Sequence, residues 1–220
     1  MLEVLYEDNH IIAINKKSGD IVQGDKTGDA PLSDFVKAYI KKKYNKPGEV
    51  FLGTIHRLDR PTSGVVLYAR TSKALSRMNE QFREKKVQKT YWAVVDNSPP
   101  NTSGTLENYL QKNQKQNKSY VTKNEGGKHA LLEYKLLKKL DNFFHLEIQP
   151  KTGRHHQIRV QLAHIGCIIK GDLKYGAKRS NKDASIHLLA QKLEFIHPVT
   201  KENIIIIAPA PKESIWDACK

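Results

Sequence analysis

The stretch VFLGTIHRLDRPTSGVVLYAR, residues 50–70, consists of a polar motif between two short apolar runs. The runs at 50–55 and 64–70 have the length and aliphatic content of β-strands. The motif between them, HRLDRPTSG at 56–64, contains a proline and a glycine, which favour a loop. The sequence therefore predicts that Asp59 lies in a loop between two strands, where a rigid scaffold can present its side chain.

Asp59 stands between two arginines, Arg57 and Arg60. One interpretation is a plain turn in which the carboxylate pairs with one of them. The other is a carboxylate that takes part in chemistry. The motif by itself is consistent with both interpretations.

The composition indicates the class of partner. Lys and Arg number 37 against 23 for Asp and Glu, which gives a net charge of +14 over 220 residues. A strong basic excess is typical of nucleic-acid-binding proteins, although a ribosome-associated protein or one kept soluble by its charge has the same balance. The charge therefore favours nucleic acid without identifying it.

Other sequence features bear on the compartment. The two cysteines, Cys167 and Cys219, match no metal-binding spacing and are too few for a disulfide framework, which favours the reducing cytoplasm. The first residues, MLEVLYEDNH, lack the pattern of a secretion signal. The aliphatic stretch at 204–208 is too short to span a bilayer, so we expect no membrane insertion.

The pattern along the chain is mixed and rich in strands. A hairpin is predicted at 3–15 with its turn at Asp8-Asn9, a helix is predicted from Leu32 until ahead of Pro47, and a second helix is predicted after a cap at Thr71 or Ser72. Further strand-like runs lie at 88–96, 130–137, 143–149, 185–195 and 203–209. The predicted class is α+β with a largely antiparallel sheet.

One late segment, RHHQIRVQLAHIG at 154–166, has helical spacing. Ile158, Leu162 and Ile165 define its buried face, and Gly166 suits the end of the helix. Arg159 lies at the boundary of that face, where an arginine needs a carboxylate partner. We expect the free N–H groups at the start of the helix, near Arg154, to favour an anion such as phosphate.

Two histidines in this segment raise the question of a metal. His155 and His156, with His164, do not offer the i, i+4 spacing and third ligand typical of zinc sites on helices. The sequence thus predicts neither a metal nor a cofactor. The polar tract QKNQKQNK at 111–118 has three lysines and no acid, and it suits either an RNA-facing loop or a solvated hairpin.

Four segments carry a resemblance to a known family. They are HRLDRPTSGVVLYART, KTYWAVV, GRHHQIRVQLAHIGCIIKGDLKYG and the closing LLAQKLEFIHPVTKE with IIIIAPAP. In their order and length they resemble the motifs of the RluA-type pseudouridine synthases, over residues of about 3 to 211. The chain resembles the branch without the small N-terminal RNA-binding domain, so residues 1–220 are expected to form one catalytic domain with two lobes around a cleft.

The resemblance implies a fold, an activity and a set of residues. The fold is the pseudouridine synthase catalytic fold, a long, mostly antiparallel mixed sheet with flanking helices and a central RNA-binding cleft. The activity is cofactor-independent isomerisation of uridine in ribosomal or transfer RNA. Apart from the resemblance, we expect a monomer that works in the cytoplasm. Asp59 is implied as the catalytic aspartate, Tyr91 as the tyrosine that stacks on the uracil, and Arg159 as the arginine that pairs with Asp59.

A wider set of residues is expected to bind the substrate. Arg57 would help to hold the target nucleotide out of its stack, and Lys89 and Arg154 would bind phosphates. The remaining expected substrate-binding residues are His56, His156, Gln157 and Leu188. Two motifs depart from the family pattern: Leu188-Leu189-Ala190 replaces Leu-His-Ala, with His187 displaced by two positions, and Lys17-Ser18-Gly19 lacks the proline of Lys-Pro-Ser-Gly.

The chemistry suits a single carboxylate. Asp59 would either attack the sugar as a nucleophile or remove a sugar proton to give a glycal, and both routes remain open. A catalytically silent RNA-binding or chaperone protein is an alternative, but it has no chemical need for Asp59, Tyr91 and Arg159 together. An aspartate-based nucleoside hydrolase is a weaker alternative, because neither motif holds a second carboxylate to activate water.

Overall fold

The computed structural model describes residues 2–24, 28–123 and 126–220. Within these residues the chain forms eleven strands and four α-helices. The strands are β1 (Val4–Glu7), β2 (Ile11–Lys16), β3 (Gly53–Thr54), β4 (Ser63–Ala69), β5 (Gln88–Val95), β6 (Ser103–Asn113), β7 (Lys118–Thr122), β8 (Lys128–Lys139), β9 (Phe144–Pro150), β10 (Leu188–Ile196) and β11 (Asn203–Ile207). The helices are α1 (Leu32–Lys43), α2 (Ser72–Arg83), α3 (Gln157–His164) and α4 (Ser214–Ala218).

This content confirms the α+β prediction with a mostly antiparallel, mixed sheet and flanking helices. The chain divides into two compact units. The first unit comprises the residues up to Gln88 together with Ala190–Pro209, and the second comprises Lys89–Leu189 and Ala210–Lys220. The single catalytic domain and the RNA-binding cleft stay predictions.

The first unit is built around β2 and β4. Its strand order is β1-β2-β4-β10, with β11 paired to β10 and β3 paired to β4. Ile12 and Ile14 of β2 pack with Val36 and Ile40 of α1, because residues four apart in a helix share one face. The predicted hairpin at 3–15 and the helix from Leu32 are both confirmed.

The run at 50–55 forms less strand than its sequence predicts. Only Gly53–Thr54 pairs with β4, and Phe51 is 47% exposed. One edge of β4 is paired with β2 along six residues, and β10 is its neighbour on the other side. The Tyr68–Ala69 end of β4 is therefore the part that pairs with β3.

Gly64 allows β4 to lie close to β10. Its φ is +114°, and a Cβ atom there would lie 2.2 Å from the carbonyl oxygen of Ala190. Main-chain atoms cannot move aside as a flexible side chain can. Only glycine fits this position without displacing one of the two strands.

We expect Gly64→Ala to lower the free energy of unfolding by about 2–3 kcal/mol, from backbone strain and overpacking together. Urea unfolding followed by circular dichroism measures this change. Gly48→Ala is the matched control, because a Cβ atom at Gly48 meets nothing within 4 Å. Equal stability of the two variants would show that the approach of β4 to β10 is not tight.

The second unit has the strand order β5-β9-β8-β6-β7. Ile158 and Leu162 of α3 pack into a buried cluster with Leu132 of β8 and Ile148 of β9, as the helical spacing predicts. Gly166, with φ of +80°, follows the helix as expected. In the described part of the chain, none of the helices has the length and apolar character needed to cross a membrane.

Candidate active site

The Asp59 loop belongs to the first unit and is a tight turn. The backbone N–H of Thr62 donates to the carbonyl oxygen of Asp59 at 3.0 Å. Ahead of the turn, Nε2 of His56 accepts a hydrogen bond from the backbone N–H of Leu67 at 3.1 Å, and its ring stacks on Phe82. His56 thus ties the loop to β4 and α2, and its predicted contact with substrate stays a prediction.

Lys16, a residue that the sequence reasoning missed, holds the main chain of this turn by hydrogen bonds. Its side chain is fully buried, and Nζ donates to the carbonyl oxygens of Lys17, Arg60 and Thr62 at 2.9, 3.0 and 2.7 Å. The backbone N–H of Gly19 also donates to the Arg60 carbonyl, at 2.9 Å. Two N–H donors of the ammonium group therefore hold the main chain on both sides of Pro61, and the third holds the main chain at Lys17.

The side chains of the motif face different surroundings. Asp59 is half-buried, and Arg57 is exposed. Arg60 makes an ion pair with Asp29, with 2.7 Å between Nη1 and Oδ2. Because both partners of this pair are about half exposed, the pair contributes little to stability.

Burial lowers the pKa of Lys16 from its ordinary value of 10.5 to about 8, although Asp20 and Asp59 favour its charge. Below about pH 8 the lysine is charged in both the folded and the unfolded chain. Between about pH 8 and 10.5 the unfolded chain binds a proton that the folded protein has lost, so raising the pH favours folding.

We therefore expect the stability of the protein, relative to a Lys16→Met variant, to increase as the pH rises from about 8 to 10.5. Urea unfolding at half-unit pH steps measures this difference. Lys17→Met is the control, because only the carbonyl group of Lys17 takes part in the contact. A difference that stays flat or falls over this interval would contradict the lowered pKa of Lys16.

Tyr91 lies on β5 in the second unit. It pairs with Ile148 of β9, and its half-buried ring packs against the cluster that contains Ile158 and Leu188. Leu188 is 3% exposed and therefore forms part of a buried wall. The strand positions the tyrosine as predicted, while its stacking on uracil stays a prediction.

Arg159 is held by a carboxylate that the sequence reasoning missed. Its Nε and Nη2 donate to the two oxygens of Asp172 at 2.7 and 2.8 Å, and both side chains are at most 5% exposed. The guanidinium carbon also lies 5.1 Å from the ring centre of Tyr175. This two-point pairing orients the guanidinium plane, and the pairing of Arg159 with Asp59 stays a prediction.

The loop before α3 is fastened by Gln157. Its Oε1 accepts hydrogen bonds from the Thr152 hydroxyl and the Arg154 backbone N–H, and its Nε2 donates to the Leu131 carbonyl. Nε of Arg154 donates to a main-chain carbonyl at 2.8 Å, and the residue is exposed. Gln157 therefore positions the main chain at Arg154. The predicted contacts of Arg154 and Gln157 with RNA stay predictions.

Lys89 lies beside this loop. Its Nζ is 3.4 Å from the carbonyl oxygen of Thr152. Burial lowers the pKa of Lys89 to about 8, so the amine is still mostly protonated at neutral pH. The phosphate contact of Lys89 stays a prediction.

His156 precedes α3 in a left-handed conformation, with φ of 54°. It is 8% exposed, and its Nδ1 lies 2.9 Å from the Tyr175 hydroxyl. Burial, with the nearby charge of Arg159, lowers the pKa of His156 to about 2, so it adds no positive charge for an anion. Among the described residues, no group of three or more His, Cys, Asp and Glu side chains is arranged to hold a metal ion.

Residues 10–164 match the family model described as RNA pseudouridylate synthase. The chain belongs to this family. Asp59, Tyr91 and Arg159 all lie within the matched region of the pseudouridylate synthase model, and Leu188 lies outside it. The resemblance to RluA-type pseudouridine synthases is confirmed.

Individual family members show the same relationship. The chain is 36% identical over 214 residues to the ribosomal large subunit pseudouridine synthase C of Buchnera aphidicola subsp. Baizongia pistaciae, covering 94% of this chain and 66% of that relative. It is 33% identical to the ribosomal large subunit pseudouridine synthase D of Xylella fastidiosa, covering 96% of this chain and 67% of that relative. The chain thus spans about two thirds of the length of these relatives.

A solved structure confirms the pseudouridine synthase fold. The human RNA pseudouridylate synthase domain containing 4 superposes with a TM-score of 0.81, covering 99% of this chain and 91% of that chain. The sequence identity is 24%, so this similarity bears on the fold alone.

Proposed function

We propose that this chain is an RNA pseudouridine synthase that converts uridine to pseudouridine in ribosomal RNA. The observation that carries the proposal is the Asp59 turn, whose main chain is held by the buried ammonium group of Lys16. A carboxylate on a turn that is already ordered can act without first being immobilised. Family membership supplies the reaction class.

The reaction rearranges one nucleotide without adding or removing atoms overall. The bond between N1 of uracil and C1′ of ribose breaks, the base turns within the pocket, and C5 of the base joins C1′. The proton on C5 leaves and N1 gains a proton, so the balance closes without a redox partner. Asp59 starts the reaction as an ionised carboxylate, either by attack at C1′ or by removal of a sugar proton.

The other predicted residues serve binding and orientation in this proposal. Tyr91 offers an aromatic face for the extruded base, and stacking of this kind contributes about 1–3 kcal/mol per base. Arg159, whose guanidinium plane is set by Asp172, pairs with Asp59 and orients its carboxylate. Arg57 and Arg154 contact phosphates, because both are exposed and cationic.

Ribosomal RNA is the proposed substrate because the relatives from Buchnera and Xylella are both named as ribosomal large subunit enzymes. Transfer RNA is the second candidate, supported by the basic charge that any RNA would satisfy. We also propose that the protein works as a monomer in the cytoplasm. The two free cysteines agree with a reducing compartment.

The test is to incubate the purified protein with ribosomal RNA and, separately, with transfer RNA, both isolated from cells that lack the protein. Pseudouridine is scored by mass spectrometry of derivatised nucleosides. We expect a gain of pseudouridine in ribosomal RNA. A gain in transfer RNA alone would overturn the substrate class, and tight binding of both RNAs without any product would favour the RNA-binding alternative.

A further inference from the structure

The hairpin of β6 and β7 has two faces of different character. On the inner face, Leu110 of β6 and Val121 of β7 pack with Val160 of α3. On the outer face, Tyr109 and Tyr120 are 39% and 40% exposed. The inner face explains why the hairpin folds, and burial does not account for the two outer tyrosines.

The strand register brings the two tyrosines together. Tyr109 pairs with Thr122, and Gln111 pairs with Tyr120, so the tyrosines are diagonal neighbours on one face. Side chains in such positions are about 7–8 Å apart. Each ring is also oriented: the Tyr120 hydroxyl donates to Gln116 at 2.6 Å, and the Tyr109 ring lies edge-on to His129.

The charge near these rings is positive. Nζ of Lys118 lies 5.3 Å from the ring centre of Tyr120. The tract at 111–118 contains three lysines and no acid. Of the acids on this face, Glu107 lies 2.8 Å from His129, and Glu133, which pairs with Thr105 farther along the sheet, lies 2.8 Å from Lys151.

We propose that this outer face, made of Tyr109, Gln111, Lys118 and Tyr120, binds a single-stranded segment of the substrate RNA. Exposed aromatic rings on a sheet, next to cations, stack unpaired bases while the cations bind the phosphates. A duplex does not offer free base faces, so the rings select single-stranded RNA. The inference rests on the proposed function, because it takes RNA as the substrate.

The test uses a fluorescein-labelled oligouridylate of twelve nucleotides and a labelled RNA duplex of twelve base pairs, with anisotropy as the readout. For the double variant Tyr109→Leu with Tyr120→Leu, we expect Kd for the oligouridylate to rise about tenfold or more, with Kd for the duplex changed less than twofold. The double Tyr→Phe variant keeps the rings and is expected to bind like the wild type. Phe35→Leu is the matched control for loss of an exposed aromatic ring, since Phe35 is 57% exposed and lies on α1.

Salt dependence separates the rings from the cation. Lys118→Gln is expected to reduce the slope of log Kd against log salt by about 0.7, the value for one phosphate contact on a single strand. The tyrosine variants are expected to leave this slope unchanged. An unchanged slope for Lys118→Gln would overturn the phosphate contact.

Three outcomes would overturn the proposal as a whole. They are a Kd for oligouridylate within twofold of wild type in the double Leu variant, an equal loss on the duplex, and an equal loss with Phe35→Leu. The proposed function is tested separately by formation of pseudouridine. Loss of binding in the tyrosine variants of a protein that forms no product would support the RNA face and overturn the enzyme.

Discussion

Replacing Asp59 by asparagine is expected to reduce pseudouridine formation about a thousandfold or more, as removal of a group that reacts with substrate does in other enzymes. Asparagine has nearly the same shape, but its amide is neither a nucleophile nor a base for a sugar proton. The hydrogen bonds that hold the turn use main-chain atoms of Asp59, Arg60 and Thr62, so the variant should keep the loop and its RNA affinity.

The measurement pairs nucleoside mass spectrometry with RNA binding, on the RNA pool that the wild type modifies. Asp29→Asn is the matched control, because it removes a carboxylate that pairs with Arg60 of the same motif. We expect that control to stay within about twofold of wild type, since the pair is exposed. Product at the wild-type rate from Asp59→Asn would refute the catalytic role of Asp59.

The second large effect is expected at Asp172. Asp172→Asn removes the carboxylate that accepts from Nε and Nη2 of the buried Arg159, and losing one partner of a buried ion pair costs about 3–5 kcal/mol. We therefore expect the free energy of unfolding to fall by this amount. Catalysis should fall as well, because the guanidinium plane is no longer held.

Urea unfolding and initial rates on the same preparations measure the two effects. Asp141→Asn, at an exposed position in the same unit, controls for loss of one negative charge. The double variant Arg159→Met with Asp172→Leu separates structure from catalysis, because replacing both partners of a buried pair by apolar groups is often neutral for stability. We expect it to recover stability and to remain inactive; an active double variant would exclude a catalytic part for Arg159.

Local patterns in the sequence predict much of the fold. The hairpin at β1 and β2, the face of α1 and the cap at Thr71 depend on residues a few positions apart, and all three are found. The Thr71 hydroxyl accepts a hydrogen bond from the Ala74 N–H at 3.1 Å, as a cap should. The run at 50–55 was predicted less well, because its pairing depends on which edge of β4 other strands leave open.

The partners in the candidate site are harder to predict. Arg159 visibly needs a carboxylate, but Asp172 lies 13 residues away, beyond the end of the helix. Lys16 binds carbonyl groups 44 and 46 residues away. Every residue has a main-chain carbonyl group, so the sequence does not indicate which of them Lys16 binds. Motif resemblance predicts which groups react, whereas the groups that support them are found only in the tertiary structure.

The contacts of Lys16 indicate which substitutions this turn tolerates. The ammonium group contacts the carbonyl oxygens of Lys17, Arg60 and Thr62, and the Ser18 hydroxyl donates to the carbonyl oxygen of Pro61. Every residue type carries that oxygen, so the side chains at 17, 60 and 61 are free to diverge while the geometry persists. We expect the side chains at positions 17, 60 and 61 to tolerate substitution as long as residue 16 is a lysine.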